Sequence, residues 1–256
     1  MNRPLMRTAL VTGATAGIGQ AFARVLAEGG THLVVVARTT ERLDALAQDL
    51  GRRYGVEVEV LTADLATTAG MDAVAARLGD RGRPVDLLVN NAGASLAGWF
   101  GTTDIADEDR QLDLLVRAPM HLMDAAIKSM SIRRHGAIIN VASVAAFTPR
   151  GAYSAHKAWL VNLSQWANLE YRGRGITVQA LCPGFTRTEF HQRMGASIDD
   201  VPRWMWLQPE PLVRASLRDL ERGTAISIPS WRYKVLTAVS RHAPARLVAA
   251  IARRGR

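Results

Sequence analysis

Three features are scarce or missing in this sequence, and each absence excludes a class of protein. Cys182 is the only cysteine, so no intrachain disulfide can form, which is typical of a protein from a reducing compartment. No apolar run approaches the roughly 20 residues that a helix needs to cross a bilayer, and no signal sequence precedes the first predicted strand. These absences predict a cytoplasmic protein without a disulfide framework, in which Cys182 is a small buried residue.

Acidic residues are missing from the end of the chain, and this determines how the net charge of +9 is interpreted. Between Trp231 and Arg256 there are seven basic residues and no acidic one, which leaves 25 basic against 23 acidic residues elsewhere. A nucleic-acid-binding domain is expected to carry a basic face within its fold. Because the basic excess is confined to the end of the chain, we expect no nucleic-acid partner.

Short β-branched runs alternate with segments of helical periodicity along most of the chain. This alternation predicts an α/β fold, a doubly wound parallel sheet of the Rossmann type. With 256 residues, 48% hydrophobic content and no linker, we expect one domain over 1–256. Predicted strands cover 8–11, 31–37, 56–62, 85–89, 137–141 and 176–181, and predicted helices start at Ile18 and cover 43–50, 71–78, 107–134 and 153–171.

Two segments fall outside this alternation. The segment 189–211 is predicted to be a helical substrate loop, because Phe190, Met194, Trp204, Met205 and Trp206 lie among polar residues. An apolar lid over a site and a loop packed on the body explain it equally well. The segment 230–256 is predicted to be a basic C-terminal extension.

A glycine turn, Thr12 to Gly19, lies between the first predicted strand and the first predicted helix. Glycines allow positive φ and a close approach of ligand, and the first amides of the helix point at whatever lies above them. A pyrophosphate fits that description, although such turns also occur without a ligand. The expected cofactor-binding residues here are Gly13, Thr15, Ala16, Gly17, Ile18 and Gly19.

The end of the second predicted strand indicates which dinucleotide would bind. An acidic residue at this point binds the ribose 2′-hydroxyl, whereas an arginine accommodates a 2′-phosphate. This chain has Arg38 and Thr39 and no acidic residue there. Since a guanidinium is a planar, permanently charged donor, the predicted cofactor is NADP(H).

Polar and small residues follow the third and fourth predicted strands. Asp64 and Leu65 end the third strand, where a carboxylate could accept a hydrogen bond from an adenine amino group. Asn91, Ala92 and Gly93 end the fourth, where small residues leave room for a ribose. Each of these would be an ordinary turn by itself, but both are expected at the edge where ligands of such sheets bind.

Tyr153 and Lys157 are four residues apart on a predicted helix and therefore share one face. The positive charge is expected to lower the pKa of the phenol from about 10, so that Tyr153 could exchange a proton with a carbonyl oxygen. Ser143, at the end of the fifth strand, could hydrogen-bond the same oxygen. A Tyr-x-x-x-Lys pair that stands alone is usually a solvated pair, so the assignment rests on its conjunction with the other motifs. On that basis the predicted catalytic residues are Ser143, Tyr153 and Lys157, and no metal site is predicted.

Together these motifs resemble those of the short-chain dehydrogenase/reductase superfamily, in its compact single-domain branch, over about residues 7 to 190. The resemblance implies hydride transfer between a nicotinamide and a carbonyl or an alcohol, with Tyr153 as acid or base. It also implies that Lys157 binds the nicotinamide ribose, that Tyr153 is a cofactor-binding residue as well, and that Ser143 orients the substrate. The loop after the sixth strand is implied to meet the cofactor through Pro183, Gly184, Phe185, Thr186 and Thr188.

The chain departs from the family pattern at two points. Leu115 stands where family members usually carry an asparagine that holds a water in a proton relay to the lysine. The interval from Ser143 to Tyr153 is also about three residues shorter than usual. A leucine cannot bind that water, so the route of proton supply differs from the family's.

These observations predict an NADP(H)-dependent oxidoreductase that interconverts a carbonyl and a secondary or primary alcohol on an apolar small molecule. The alternative is an NADP(H)-binding sensor or scaffold of the same fold with little turnover, and Leu115 is the evidence for it. By resemblance we expect a homodimer or homotetramer, formed through two helices that carry apolar residues: Leu112, Leu115, Met123, Trp159 and Leu163.

The end of the chain permits one further hypothesis. Leu247, Val248 and Ile251 fall on one face of a predicted helix that arginines flank. Such a helix could lie on an anionic membrane surface. Three larger apolar residues make a weak insertion face, so packing on the body of the protein or on a neighbouring subunit is favoured.

Overall fold

The structure is a computed structural model that describes residues 6–188 and 201–242. Seven parallel strands form one sheet in the order β3-β2-β1-β4-β5-β6-β7, which confirms the predicted doubly wound fold. The strands are β1 (Thr8–Thr12), β2 (His32–Ala37), β3 (Val58–Thr62), β4 (Leu87–Asn90), β5 (Gly136–Val141), β6 (Ile176–Leu181) and β7 (Ile226–Ser227). The α-helices are α1 (Gly17–Glu28), α2 (Thr40–Tyr54), α3 (Thr68–Gly79), α4 (Ile105–Leu112), α5 (Ala118–Arg133), α6 (Ala152–Tyr171), α7 (Pro209–Glu221) and α8 (Trp231–His242).

Helices cover both faces of the sheet, and β2 shows how the sequence achieves this. Its residues from Leu33 to Val36 are buried almost completely. Successive side chains of a strand point to opposite faces. Val35 therefore packs in the layer that contains residues of α1, α2 and α7, whereas Val34 and Val36 pack in the layer of α3, α5 and α6. A strand buried on both faces needs a continuous apolar run, as β2 has.

The order of strand addition changes sides between β1 and β4, the two neighbouring strands at the middle of the sheet. The chain runs outward from β1 to β3 and then returns to the other side of β1, where Val11 of β1 lies between Val35 and Val89. In open parallel sheets ligands bind beyond the carboxyl ends of the strands at such a point. The loops that follow β1, β2, β4, β5 and β6 meet at this edge.

The end of the described chain differs from the sequence-based interpretation. The helix α7 begins at Pro209, within the end of the segment predicted as a substrate loop, and a proline in the first turn suits a helix start. Within the segment predicted as a basic C-terminal extension, Trp231–His242 form α8, which buries Tyr233 and Thr237. The strand β7 was not predicted, because two residues are too few to show a period. Phe190, Met194 and the predicted tail helix lie outside the described residues.

Among residues 6–188 and 201–242, no helix is long and apolar enough to cross a membrane. Cys182 is fully buried, as expected of a small core residue.

Candidate active site

The glycine turn lies at the carboxyl end of β1 and is shaped by backbone that side chains would obstruct. Gly13 and Gly17 have φ of 63° and 55°, in the region that favours glycine. A Cβ on Gly17 would lie 3.0 Å from the Cβ of Thr188, and a Cβ on Gly19 would overlap the Gly13 carbonyl and the Asn91 side chain. The glycines therefore let the turn pack closely on Asn91 and Thr188 next to the N-terminus of α1, where backbone amides suit an anion such as a pyrophosphate.

Thr12 and Asn91 fasten the glycine turn to the end of β4. The Thr12 hydroxyl oxygen accepts hydrogen bonds from the backbone amides of Asn91 and Ala92, each at 2.9 Å. The Asn91 side-chain amide donates to the carbonyls of Thr12 at 2.9 Å and Gly13 at 3.2 Å. Asn91 is thus a structural bracket between two strand ends, and Thr12 is a positioning residue that the sequence did not single out.

Two arginines flank the end of β2. Arg38 follows the strand and is exposed, beside the helix-capping residue Thr39. Arg42, one turn into α2, donates from its guanidinium to the carbonyl of Thr15 in the glycine turn, at 3.3 Å. The sequence predicted Arg38 but missed Arg42, whose only signal was its spacing of four residues from Arg38. The structure places positive charge on two sides of this corner of the site.

Asp64 lies at the end of β3 with both carboxylate oxygens in use. One oxygen accepts from the amide of Ala66 at 3.0 Å, and the other forms an ion pair of 2.7 Å with Arg110 of α4. The neighbouring Leu65 is buried. A carboxylate has about four acceptor positions, so Asp64 keeps capacity for an adenine amino group, but Arg110 holds it in place.

Ser143, Tyr153 and Lys157 come together where β5 ends and α6 begins. The Ser143 side chain hydrogen-bonds Tyr153, and its oxygen also accepts from the amide of Ala145 at 3.1 Å. The Lys157 ammonium donates to the carbonyl of Val141 at 2.8 Å, and its nitrogen lies 5.7 Å from the centre of the Tyr153 ring. The geometry thus groups a phenol, a hydroxyl and an ammonium.

Burial governs the acidity of both ionisable groups in this cluster. It raises the pKa of Tyr153 to about 12, and the Ser143 hydrogen bond opposes that rise. It lowers the pKa of Lys157 to about 8. The prediction that Lys157 lowers the pKa of Tyr153 from about 10 was therefore wrong, because the loss of solvation on burial dominates. At neutral pH the Tyr153 side chain is therefore a protonated phenol.

The loop after β6 closes the site and is held by α8. The carbonyl of Pro183 accepts from the amide of Val144, at 3.0 Å. The Tyr233 hydroxyl accepts from the amide of Phe185 at 3.0 Å and donates to the carbonyl of Met205 at 2.9 Å. The Tyr233 ring packs so closely on Gly184 that no Cβ would fit there. Tyr233 thus connects α8, the loop that contains Phe185 and the segment that contains Met205. No sequence motif predicted this role.

Thr186 and Thr188 occupy the remainder of this loop. Thr186 donates from its hydroxyl to the carbonyl of Gly184 at 3.0 Å and is almost fully buried. Thr188 faces Gly17 of the glycine turn. Of the two, Thr188 is the one placed beside the predicted phosphate position.

Leu115 lies in a single wide turn of π-helix, Asp113–Arg117, that joins α4 to α5. Its side chain is buried, and one of its methyl carbons would lie 3.1 Å from a Cβ built on Gly93, whose position is also 3.9 Å from the Lys157 ammonium. Such wide turns occur often at functional sites. This chain therefore has the wide turn, but the residue that the turn places near Gly93 and Lys157 is the apolar Leu115.

Comparison with known proteins gives consistent matches. The family described as short chain dehydrogenase matches residues 7–199. A solved short-chain dehydrogenase from Sphingobium yanoikuyae in complex with NADPH is 36% identical with a TM-score of 0.84, over 92% of this chain and 94% of that one. The bulky-bulky ketone specific alcohol dehydrogenase from Comamonas testosteroni is 32% identical with a TM-score of 0.80, over 94% of each chain. The inactive hydroxysteroid dehydrogenase-like protein 1 of Homo sapiens is 32% identical over 82% of this chain and 63% of its own length.

Proposed function

Since the chain belongs to the short chain dehydrogenase family, we propose that it is an NADP(H)-dependent oxidoreductase that interconverts a carbonyl and a primary or secondary alcohol on an apolar small molecule. The observation that carries the proposal is the hydrogen bond between Ser143 and Tyr153 beside the buried Lys157. The bound nicotinamide would supply or accept the hydride. The protein would supply the proton.

Tyr153 is the proton donor in the direction of reduction. Its raised pKa keeps the phenol protonated at neutral pH, so it can give its proton to the substrate oxygen as negative charge develops there. The Ser143 hydroxyl, which already hydrogen-bonds Tyr153, can donate to the same oxygen. Lys157 is held by the Val141 carbonyl, and its positive charge stabilises the phenolate left after transfer.

The glycine turn fits a dinucleotide. Gly13, Gly17 and Gly19 leave backbone bare at the N-terminus of α1, where an added Cβ would meet neighbouring atoms. Amide groups at a helix N-terminus bind anions such as a pyrophosphate. Asn91 and Thr12 would hold this turn rigid, and Thr188 would lie across it from Gly17.

The choice of NADP(H) over NAD(H) rests on charge at the end of β2. Arg38 is exposed there, and Arg42 lies against the glycine turn through Thr15. Two guanidinium groups suit the extra phosphate of NADP(H), which carries more negative charge than the ribose hydroxyl of NAD(H). The Sphingobium yanoikuyae structure, which contains NADPH, supports the same choice.

The preference for an apolar substrate rests on the rim of the site. Phe185, in the loop after β6, lies 5.8 Å from Trp206, ring centre to ring centre. The amides and carbonyls around residues 185–187 pair with Leu207, so this aromatic pair is fastened to the site. Exposed Trp99 and Phe100 follow β4. The ketone specificity in the description of the Comamonas testosteroni relative agrees with an apolar carbonyl compound.

A screen of ketones, aldehydes and alcohols with NADPH, NADH and their oxidised forms tests the proposal. Consumption of NADPH at 340 nm with an apolar ketone is the expected result. Arg38→Asp should then weaken NADPH binding by about 2 kcal/mol or more and leave NADH binding nearly unchanged. Equal affinity of the unsubstituted protein for both cofactors would contradict the assignment of the phosphate site.

The alternative function, an NADP(H)-binding sensor or scaffold with little turnover, is favoured by one observation. Leu115 places an apolar side chain beside Lys157 where a water would be needed. The relative from Homo sapiens described as inactive shows that proteins similar to this chain include one named for lacking activity. Tight NADPH binding with no turnover on any compound of the screen would favour this alternative.

We also infer a homodimer or homotetramer, with a correction to the residues expected at its interface. Leu115 and Met123 are buried in the core of their own chain and are unable to contact a second copy. Exposed apolar residues on the same helices include Leu112, Met120, Trp166 and Leu169. Such a face, uncovered in one chain, suits contact with another copy.

A further inference from the structure

Helix α8 buries one side and exposes an apolar opposite side. Tyr233 and Thr237 are 3% and 6% exposed, and they hold the helix to the protein. Trp231, Val235 and Val239, spaced four residues apart, share the other side and are 71%, 54% and 59% exposed. Leu236 lies next to them, also exposed. An amphipathic helix normally turns its apolar face to the core, so this exposed face calls for an explanation.

The exposed face of α8 continues onto Trp204 through an arginine. The Arg232 guanidinium lies 5.7 Å from the ring centre of Trp231 and 5.8 Å from that of Trp204, and it donates to the Trp204 carbonyl at 2.7 Å. Two indoles therefore flank one fixed positive charge. Tryptophan and arginine together are typical of the boundary between lipid and water. We call the set Trp204, Trp231, Arg232, Val235, Leu236 and Val239 the α8 surface.

The charged residues on α8 itself are all basic: Arg232, Lys234 and Arg241. From Arg222 to Arg256 the sequence contains no acidic residue and eight basic ones. Lys234 lies on α8 beside the apolar face. A surface of this composition attracts a negatively charged partner and offers it apolar contact as well.

We propose that the α8 surface docks on an anionic phospholipid bilayer and holds the protein in the membrane interface. Apolar side chains on one face of a helix, with basic residues around them, are the physical requirements for a helix that lies in the headgroup region. Each basic residue near the surface adds electrostatic attraction to anionic lipid. Because no described helix could cross a bilayer, the contact is peripheral.

The orientation of the docked protein would bring the active-site rim close to the lipid. Tyr233, on the buried side of α8, hydrogen-bonds the amide of Phe185, in the loop that closes the site. Trp206 packs on Phe185. This part of the inference rests on the proposed function: the substrate would be an apolar carbonyl compound dissolved in the membrane. Docking itself does not depend on turnover.

Flotation of the full-length protein with vesicles tests docking. Vesicles of phosphatidylcholine alone are compared with vesicles that also contain phosphatidylglycerol, at low and high salt. The protein should float with the anionic vesicles at low salt and remain behind with neutral ones. A variant with Trp231→Ser, Val235→Ser and Val239→Ser should lose binding about tenfold or more. Ile132→Ser, an equally exposed apolar position on α5, is the matched control and should float normally.

A second experiment separates lipid from protein partners. Light scattering of the same variants reports the oligomeric state, and circular dichroism and NADPH binding report folding. If the unsubstituted protein stays in solution and the triple variant has a lower mass, the α8 surface is a contact between copies and the proposal is wrong. Equal flotation of the triple variant and the Ile132→Ser control would also overturn it. If the protein floats with anionic vesicles but shows no NADPH turnover, docking is supported. Only the inference that the substrate is dissolved in the membrane would then be wrong.

Discussion

Replacement of Lys157 by methionine should stabilise the protein while it abolishes turnover. Burial lowers the pKa of Lys157 from 10.5 to about 8, which means that the folded state binds the proton less tightly than the unfolded state does. A difference of one pKa unit corresponds to about 1.4 kcal/mol. At pH 7 the charged lysine therefore lowers the free energy of unfolding by about 3 kcal/mol.

Methionine removes that cost but leaves the Val141 carbonyl without its donor, which costs about 1 kcal/mol. The net gain at pH 7 is about 2 kcal/mol, or about 4 to 8 °C in Tm for a chain of this size. The sign of the pH dependence follows from the lowered pKa. Between about pH 8 and 10.5 the unfolded state binds more protons, so the stability of the unsubstituted protein rises with pH and the advantage of Lys157→Met disappears.

Denaturant unfolding of both proteins without cofactor, at pH 7 and at pH 10.5, measures this difference. Lys128→Met is the matched control, because Lys128 is exposed and pairs only with Asp124 on the surface. It should change stability by less than about 0.5 kcal/mol. A Lys157→Met variant less stable than the unsubstituted protein at pH 7, or a gain that persists at pH 10.5, would refute the reasoning.

Three further predictions follow from the site. The rate of ketone reduction should fall as pH rises through about 8, since Lys157 loses its charge there while Tyr153, with a pKa of about 12, remains protonated; a rate unchanged to pH 10 would remove Lys157 from the chemistry. Arg42→Ala should weaken NADPH binding by about 1 kcal/mol, measured by fluorescence titration, and NADH binding much less. Leu115→Asn should raise the rate severalfold if a missing water limits proton supply; an unchanged rate would point to another route, such as one past His156, whose buried Nδ1 has no partner among the described residues.

The sheet was predictable because its signal is local. The apolar run from Leu33 to Val36 and the polar residues that end each strand are visible in the sequence, and both follow from burial on two faces. The elements at the end of the described chain were not predictable, because the signal for their packing is not local. β7 has two residues, and α7 and α8 lie beyond the last motif, so nothing in their own composition identified their packing partners.

The same contrast holds within the site. Ser143, Tyr153 and Lys157 could be named from spacing, and the structure brings them together. Thr12 and Tyr233, which hold the site together, act through hydrogen bonds to backbone groups 28 or more positions away, and no periodicity in the sequence reveals such bonds. The pKa of Tyr153 was predicted to shift downward, but burial raises it. Burial depends on tertiary packing, which the sequence alone does not reveal.

The most direct test of the proposed function is NADPH consumption by Tyr153→Phe and by the unsubstituted protein, on the best ketone of the screen. The two proteins differ by one hydroxyl, so both should bind NADPH with the same affinity. Turnover should be undetectable in Tyr153→Phe, because the substrate oxygen no longer receives a proton from the phenol. Turnover that survives in Tyr153→Phe would contradict the assignment of the proton donor and move the chemistry to another group.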